Sequence, residues 1–151
     1  MNIKLSEEFE SIVGEGYYTG MPAYFIRLYG CNLNCSWCDS KYARNGDFYE
    51  DTTESVAKRI ERSSKQFIVI TGGEPLIQKK AINDLVDKVD GKIFTLETNG
   101  TISPANVSER IFMTVSPKKN SGFAFYIDEY IDRVSVFKFV VDNTDPTCWT
   151  V

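Results

Sequence analysis

The chain has 151 residues, of which 42% are hydrophobic, 25% charged and 13% aromatic, a composition that excludes disorder, collagen and coiled coil and predicts one domain over residues 1–151. Its 17 basic and 21 acidic residues leave a net charge of -4, which argues against direct nucleic-acid binding through a broad basic face. Residues 1–10 lack a signal-peptide core, and no apolar run reaches the ~18 residues of a membrane helix, so a cytoplasmic location away from membranes is expected.

In chain order, residues 22–29 are β-rich and predict a strand running into Gly30. Thr52 or Thr53 is placed to cap a helix reaching to about Lys65, with Val56 and Ile60 on its packing face. Residues 67–70 form a short apolar run, the mark of a buried parallel strand. A second helix is expected from about Leu76 to Val89, with Ile77, Ala81, Leu85 and Val89 spaced four apart. Strands follow at 92–97, 111–115 and 134–141, with a short helical turn opened by Pro104. Alternating strands and helices predict an α/β fold with a mainly parallel sheet. Cys31–Ser40, Thr71–Pro75, Glu97–Gly100 and Ser116–Lys118 each follow a strand. Ligands of parallel sheets and partial barrels bind at the carboxyl ends of the strands, so these four loops are expected to share one site.

There is no histidine, which removes the commonest general base, the Ser-His-Asp triad and His-ligated zinc. Three of the four cysteines crowd into Cys31-Asn-Leu-Asn-Cys35-Ser-Trp-Cys38. Close thiols on a polar loop of a reducing compartment point to a metal rather than to disulfides or core packing. Zinc with Cys148 as a fourth ligand and an iron–sulfur cluster are both open on ligand chemistry alone. In Thr71-Gly72-Gly73-Glu74-Pro75 the glycines let backbone approach a ligand, and Glu74 could accept from an ammonium group. The plainer alternative is a strand-to-helix turn with Pro75 at the first helical position.

Cys-x3-Cys-x2-Cys followed by Gly-Gly-Glu-Pro resembles the radical S-adenosylmethionine (SAM) superfamily. Within it the chain is most similar to the 7-carboxy-7-deazaguanine synthase family, through Glu10–Gly16, Phe25–Leu28, Cys38-Asp39-Ser40, Thr71–Pro75, Leu96–Gly100 and Ser116-Pro117-Lys118. The resemblance covers residues 5 to about 142. It implies an incomplete TIM-like barrel and a lyase that turns 6-carboxy-5,6,7,8-tetrahydropterin into 7-carboxy-7-deazaguanine and ammonia, in queuosine or other 7-deazapurine biosynthesis. It also implies that Cys31, Cys35 and Cys38 hold three irons of a 4Fe-4S cluster whose fourth iron is chelated by SAM, and that Ser40 takes the place of the family's Mg2+ ligand. SAM would be held by Trp37, Cys38, Asp39, Gly72, Gly73, Glu74, Ser116, Pro117 and Lys118. The pterin would meet Ile12, Val13, Gly14, Arg27 and Thr71, with Arg27 suited to a carboxylate. Glu97 is a further candidate near ribose or pterin.

Tyr17, Tyr18, Phe123, Phe125 and Tyr126 could line a pterin pocket, but aromatics of this kind more often pack a core. Family members continue beyond the point where the likeness fades, so the chain is read either as a short member completed by a partner or as a truncated one. An exposed sheet edge there makes a homodimer the expectation. A low-potential electron donor such as flavodoxin or ferredoxin is implied as well. The competing readings are a glycyl-radical-enzyme activase, which shares the cysteine spacing, and a non-catalytic metal- and SAM-binding module.

Overall fold

The computed structural model describes residues 1–118 and 126–140. Its strands are β1 (Asn2–Ile12), β2 (Pro22–Leu28), β3 (Tyr49–Thr52), β4 (Phe67–Gly72), β5 (Ile93–Thr98), β6 (Ile111–Val115) and β7 (Val134–Phe137). The helices are α1 (Tyr42–Asn45), α2 (Thr53–Arg62), α3 (Lys79–Val86) and α4 (Ile127–Ile131). The seven strands form one sheet in the order β3-β1-β2-β4-β5-β6-β7. β2, β4, β5, β6 and β7 run parallel, while β1 pairs antiparallel with both β2 and β3. Among the described residues the sheet does not close on itself, and β3 and β7 are its edges. Among the described residues no helix is long and apolar enough to cross a membrane.

The pleat sends alternate side chains to opposite faces. Ile26, Leu28, Ile68, Ile70, Phe94, Leu96, Met113 and Val115 join Val56, Ile60, Ile82 and Leu85 of the helices in the main core. The other face changes character along the strands. Its amino end is apolar, with Val13, Ala23, Phe25 and Val69 buried together beside Phe9 and Phe67. Toward the carboxyl ends it carries Arg27, Thr71, Glu97 and Ser116, and there the cavity opens.

Several sequence expectations change in detail. β1 and β3 were not foreseen, and they extend the parallel strands by an antiparallel edge. α2 is shorter than expected; Thr52 caps it, its side chain accepting from the Ser55 amide at 3.2 Å. The helix expected from Leu76 begins as a 3-10 turn over Pro75–Gln78 before α3. Three residues per turn shift the phase, so Ile77 leaves the buried face while Ala81, Leu85 and Val89 stay on it. Pro104 begins a turn closed by the Val107 amide at 3.0 Å, not a helix. The last strand stops at Phe137. Phe123, Phe125, Cys148 and the end of the strand expected to reach residue 141 lie outside the described residues.

The segment from Val13 to Met21 crosses the inner face as a strap. The Val13 amide donates to Met21 at 2.9 Å, and the Gly20 amide donates to Val13 at 2.8 Å. Gly16 has φ +82°, and a Cβ there would strike the Thr114 hydroxyl of β6. Glu15 pairs with Lys138 just beyond β7. An open sheet is thereby tied across its mouth by side chains instead of strand pairing.

Candidate active site

The loops after β2, β4, β5 and β6 meet, as the strand order requires, around one cavity of about 400 Å³. From the first loop come Cys31, Cys35, Trp37, Cys38, Asp39 and Ser40; the carboxyl end of β4 supplies Thr71 and Gly72, and the loop after it Gly73; Ser116 and Lys118 close a third side, and Arg27 of β2 completes the set. Trp37 is 60% exposed, a large aromatic held at the rim. Ser40 donates to Asp39 Oδ1 at 2.9 Å, placing two oxygens together at the cavity wall.

The cysteine loop is built onto the glycine loop. Glu74 and Gly73 donate their amides to the carbonyls of Gly30 and Leu28, at 2.8 and 3.2 Å. A Cβ on Gly73 would collide with the Gly30 carbonyl and approach Cys31 Cβ to 2.7 Å. Asn32 adds a second tie, donating to Thr101 at 2.7 Å and accepting from Asn99 at 3.1 Å. Cys31 is half-buried and its thiol pKa is raised by that burial, against a bond from the Leu33 amide at 3.4 Å.

Five of the expected ligand contacts do not line the cavity. Glu74 is buried at 1% exposure. Its Oε1 accepts from the Leu76 amide and the Thr98 hydroxyl, and its Oε2 from the Asn99 amide. Its carboxylate is thus engaged between loops, with no ammonium group needed to satisfy it. Pro117 is buried. The Val13 side chain belongs to the inner apolar cluster, and its backbone amide and carbonyl are both bonded within the strap. Ile12 is exposed, and Gly14 has open space around it.

Asn34, Thr98 and Asn99 reach the wall from the expected loops without an assigned role, whereas Glu15, Lys41, Arg44 and Lys138 reach it from outside those loops. Lys138 carried a signal, a single charge inside the apolar run Val136-Phe137-Lys138-Phe139-Val140. Glu97, the further candidate near ribose or pterin, lies on the wall and accepts from Thr71 at 2.8 Å. Burial and the charge of Glu15 raise its pKa, while the Thr71 bond and Lys138 oppose them. Burial also lowers the pKa of Lys118, whose ammonium donates to Ser116 at 2.6 Å.

No group of three or more Cys, Asp or Glu side chains among the described residues closes on a single ion. The three cysteines line the cavity without converging, an arrangement that suits a polynuclear cluster with one thiolate per iron. The missing Cβ at Gly73 lets the Gly30 carbonyl and the Cys31 side chain pack directly against the glycine loop, which brings that loop and the cysteines to one wall.

Residues 25–113 match the radical SAM superfamily. The 7-carboxy-7-deazaguanine synthase of Thermoplasma acidophilum is 39% identical over 150 residues, covering 93% of this chain and 71% of that protein. The chain belongs to the 7-carboxy-7-deazaguanine synthase family. Family members of the same name from Methanospirillum hungatei and Haemophilus influenzae are 37% and 35% identical, covering 95% and 97% of this chain. The chain spans 63% and 67% of those two relatives. The crystal structure of QueE from Escherichia coli superposes with a TM-score of 0.82 at 30% identity, covering 95% of this chain and 73% of that one. The fold is therefore the radical SAM α/β fold with an open sheet, and the chain is a radical SAM lyase by family. That membership sets aside the activase.

Proposed function

We propose that this chain, read as one radical SAM domain, converts 6-carboxy-5,6,7,8-tetrahydropterin to 7-carboxy-7-deazaguanine and ammonia. The observation that carries the reading is the meeting of three cysteines, the Gly72–Gly73 cradle and Arg27 around one cavity. Cys31, Cys35 and Cys38 would hold a 4Fe-4S cluster, and Gly72 and Gly73 would face the methionine end of SAM. Trp37, Asp39, Ser116 and Lys118 would flank its adenosine. When bound, the cluster and SAM supply a carbon radical that abstracts a substrate hydrogen, chemistry that no side chain here provides.

The protein's own work is binding, orientation and exclusion of water. Arg27 would take the substrate carboxylate by paired N–H donors, with Thr71 and Glu97 beside it on the wall. Ser40, with Asp39 next to it, offers hard oxygen ligands for Mg2+. The ring contraction is redox-neutral overall, because the substrate's atoms equal those of the product plus ammonia. A low-potential donor such as flavodoxin or ferredoxin would reduce the cluster. A homodimer is part of this reading, since β7 pairs only with β6 among the described residues. So is a place in queuosine or related 7-deazapurine biosynthesis in the cytoplasm.

The test is an anaerobic assay of the reconstituted protein with SAM, reductant and the tetrahydropterin, with and without Mg2+, read by mass spectrometry. The expected result is 7-carboxy-7-deazaguanine, reduced when Mg2+ is omitted. 5′-Deoxyadenosine formed without the deazaguanine would refute the proposed substrate.

A further inference from the structure

β1 carries an irregularity whose effect is felt at Arg27. Leu5 pairs with Leu28, yet Glu7, not Ser6, pairs with Arg27. The extra residue reverses which face each following side chain takes. Leu5 points into the main core, whereas Glu7 and Phe9 lie beside Arg27 and Phe25 on the cavity face. Ser6, the displaced residue, leaves its hydroxyl buried with no hydrogen-bond partner among the described residues. A bulge retained with an unsatisfied hydroxyl is the kind of local irregularity that accumulates where a side chain must be aimed.

What it aims is a carboxylate. Arg27 Nε donates to Glu7 Oε1 at 2.7 Å, and Tyr42 donates its hydroxyl to the same oxygen at 2.6 Å. The guanidinium carbon lies 5.7 Å from the ring centroids of both Phe9 and Tyr42. Arg27 Nη1 approaches Ser40 Oγ at 3.4 Å. The guanidinium is thus held at its Nε edge and contacted by two rings, while Nη1 donates to Ser40 on the wall of the cavity that Arg27 itself lines. Neither Glu7 nor Tyr42 lines that cavity.

We propose that Glu7, backed by Tyr42, is a positioning residue that fixes the Arg27 guanidinium and thereby sets selectivity for a carboxylated pterin. This rests on the reading of Arg27 as the carboxylate clamp. A mobile Arg27 would keep its charge but lose the aligned fork on which paired carboxylate recognition depends. Selectivity, rather than cluster chemistry, is what Glu7 governs.

The experiment measures equilibrium binding of 6-carboxypterin and of pterin, which lacks the carboxylate, to the reconstituted protein with SAM, by quenching of pterin fluorescence. Wild type, Glu7→Gln, Tyr42→Phe, Arg27→Ala and Glu7→Gln/Arg27→Ala are compared. Glu7→Gln is expected to lower the preference for 6-carboxypterin about tenfold, the scale of one charge-assisted hydrogen bond, with pterin binding and substrate-free SAM cleavage unchanged. Tyr42→Phe should lower it by a smaller factor. The double variant should be no worse than Arg27→Ala, because Glu7 acts through the arginine. Full selectivity in Glu7→Gln, with Arg27→Ala impaired, would overturn the proposal alone, as would additive losses in the double variant. Full selectivity in Arg27→Ala would overturn the clamp, and the positioning role with it.

Discussion

Glu74 Oε2 accepts a hydrogen bond from the backbone amide of Asn99 at 2.7 Å, a bond that joins the loop after β4 to the loop after β5. Oε1 accepts two more, from the Leu76 amide at 3.0 Å and the Thr98 hydroxyl at 2.8 Å. The residue that sequence reasoning aimed at a ligand therefore supports the cavity wall from behind. Burial pushes the Glu74 pKa up, and these three donors together with Lys118 pull against it. Glu74→Gln puts an NH2 in place of an accepting carboxylate oxygen, facing a donor, and so leaves a buried N–H without an acceptor. A loss of about 1–3 kcal/mol in urea unfolding is expected, the cost of one unsatisfied buried group.

Gly73 has no room for a Cβ, because the Gly30 carbonyl and the Cys31 side chain occupy that space. Gly73→Ala must push the cysteine loop away from β4. Overpacking of this kind costs about 1–3 kcal/mol. Iron and sulfide per chain after reconstitution should fall well below wild type while the far-ultraviolet circular dichroism stays native.

The three cavity cysteines and Cys148 should separate cleanly. Cys31→Ala, Cys35→Ala and Cys38→Ala are each expected to prevent assembly of the cluster, whereas Cys148→Ala should retain about four irons and four sulfides per chain. Iron loss in the Cys148 variant, or zinc without sulfide in the wild type, would restore a four-cysteine metal site as the better account.

Asp84 supplies a pH dependence remote from the cavity. Its Oδ2 accepts from the Thr53 hydroxyl and its Oδ1 from Lys88 at 3.1 Å, linking α3 to the start of α2. The Thr53 bond first, then Lys88, lower its pKa from the usual 3.8 to about 2. The sign follows from linkage: a depressed carboxylate stabilises the fold above its unfolded pKa, and that contribution disappears as pH falls through the folded value. Thermal melts should place Asp84→Asn below wild type near neutrality, with the gap closing from about pH 4 toward pH 2.

The readable part of the chain was the part governed by local chemistry. The cysteine spacing, Gly72-Gly73 and apolar runs such as Phe67–Ile70 declare themselves within a few residues, so the parallel strands and the loops at their carboxyl ends followed directly. β1 was illegible because its alternation breaks at Ser6: Ile3 and Leu5 turn to the helices, Glu7 and Phe9 to the other face. The exposed, strongly charged β3 had no apolar pattern to reveal it.

By itself the sequence determined which chemistry the protein carries, because thiols, glycines and a lone arginine before the cysteines have the same meaning in any register. Only the tertiary structure decided which of those groups face the cavity. Glu74 turned away from it because three donors from two elements converge on a buried carboxylate. Lys138 and Glu15, 123 residues apart, came to its wall because an open sheet must be bridged by side chains. Such placements depend on pairings between distant segments, and a residue's neighbours along the chain carry no record of them.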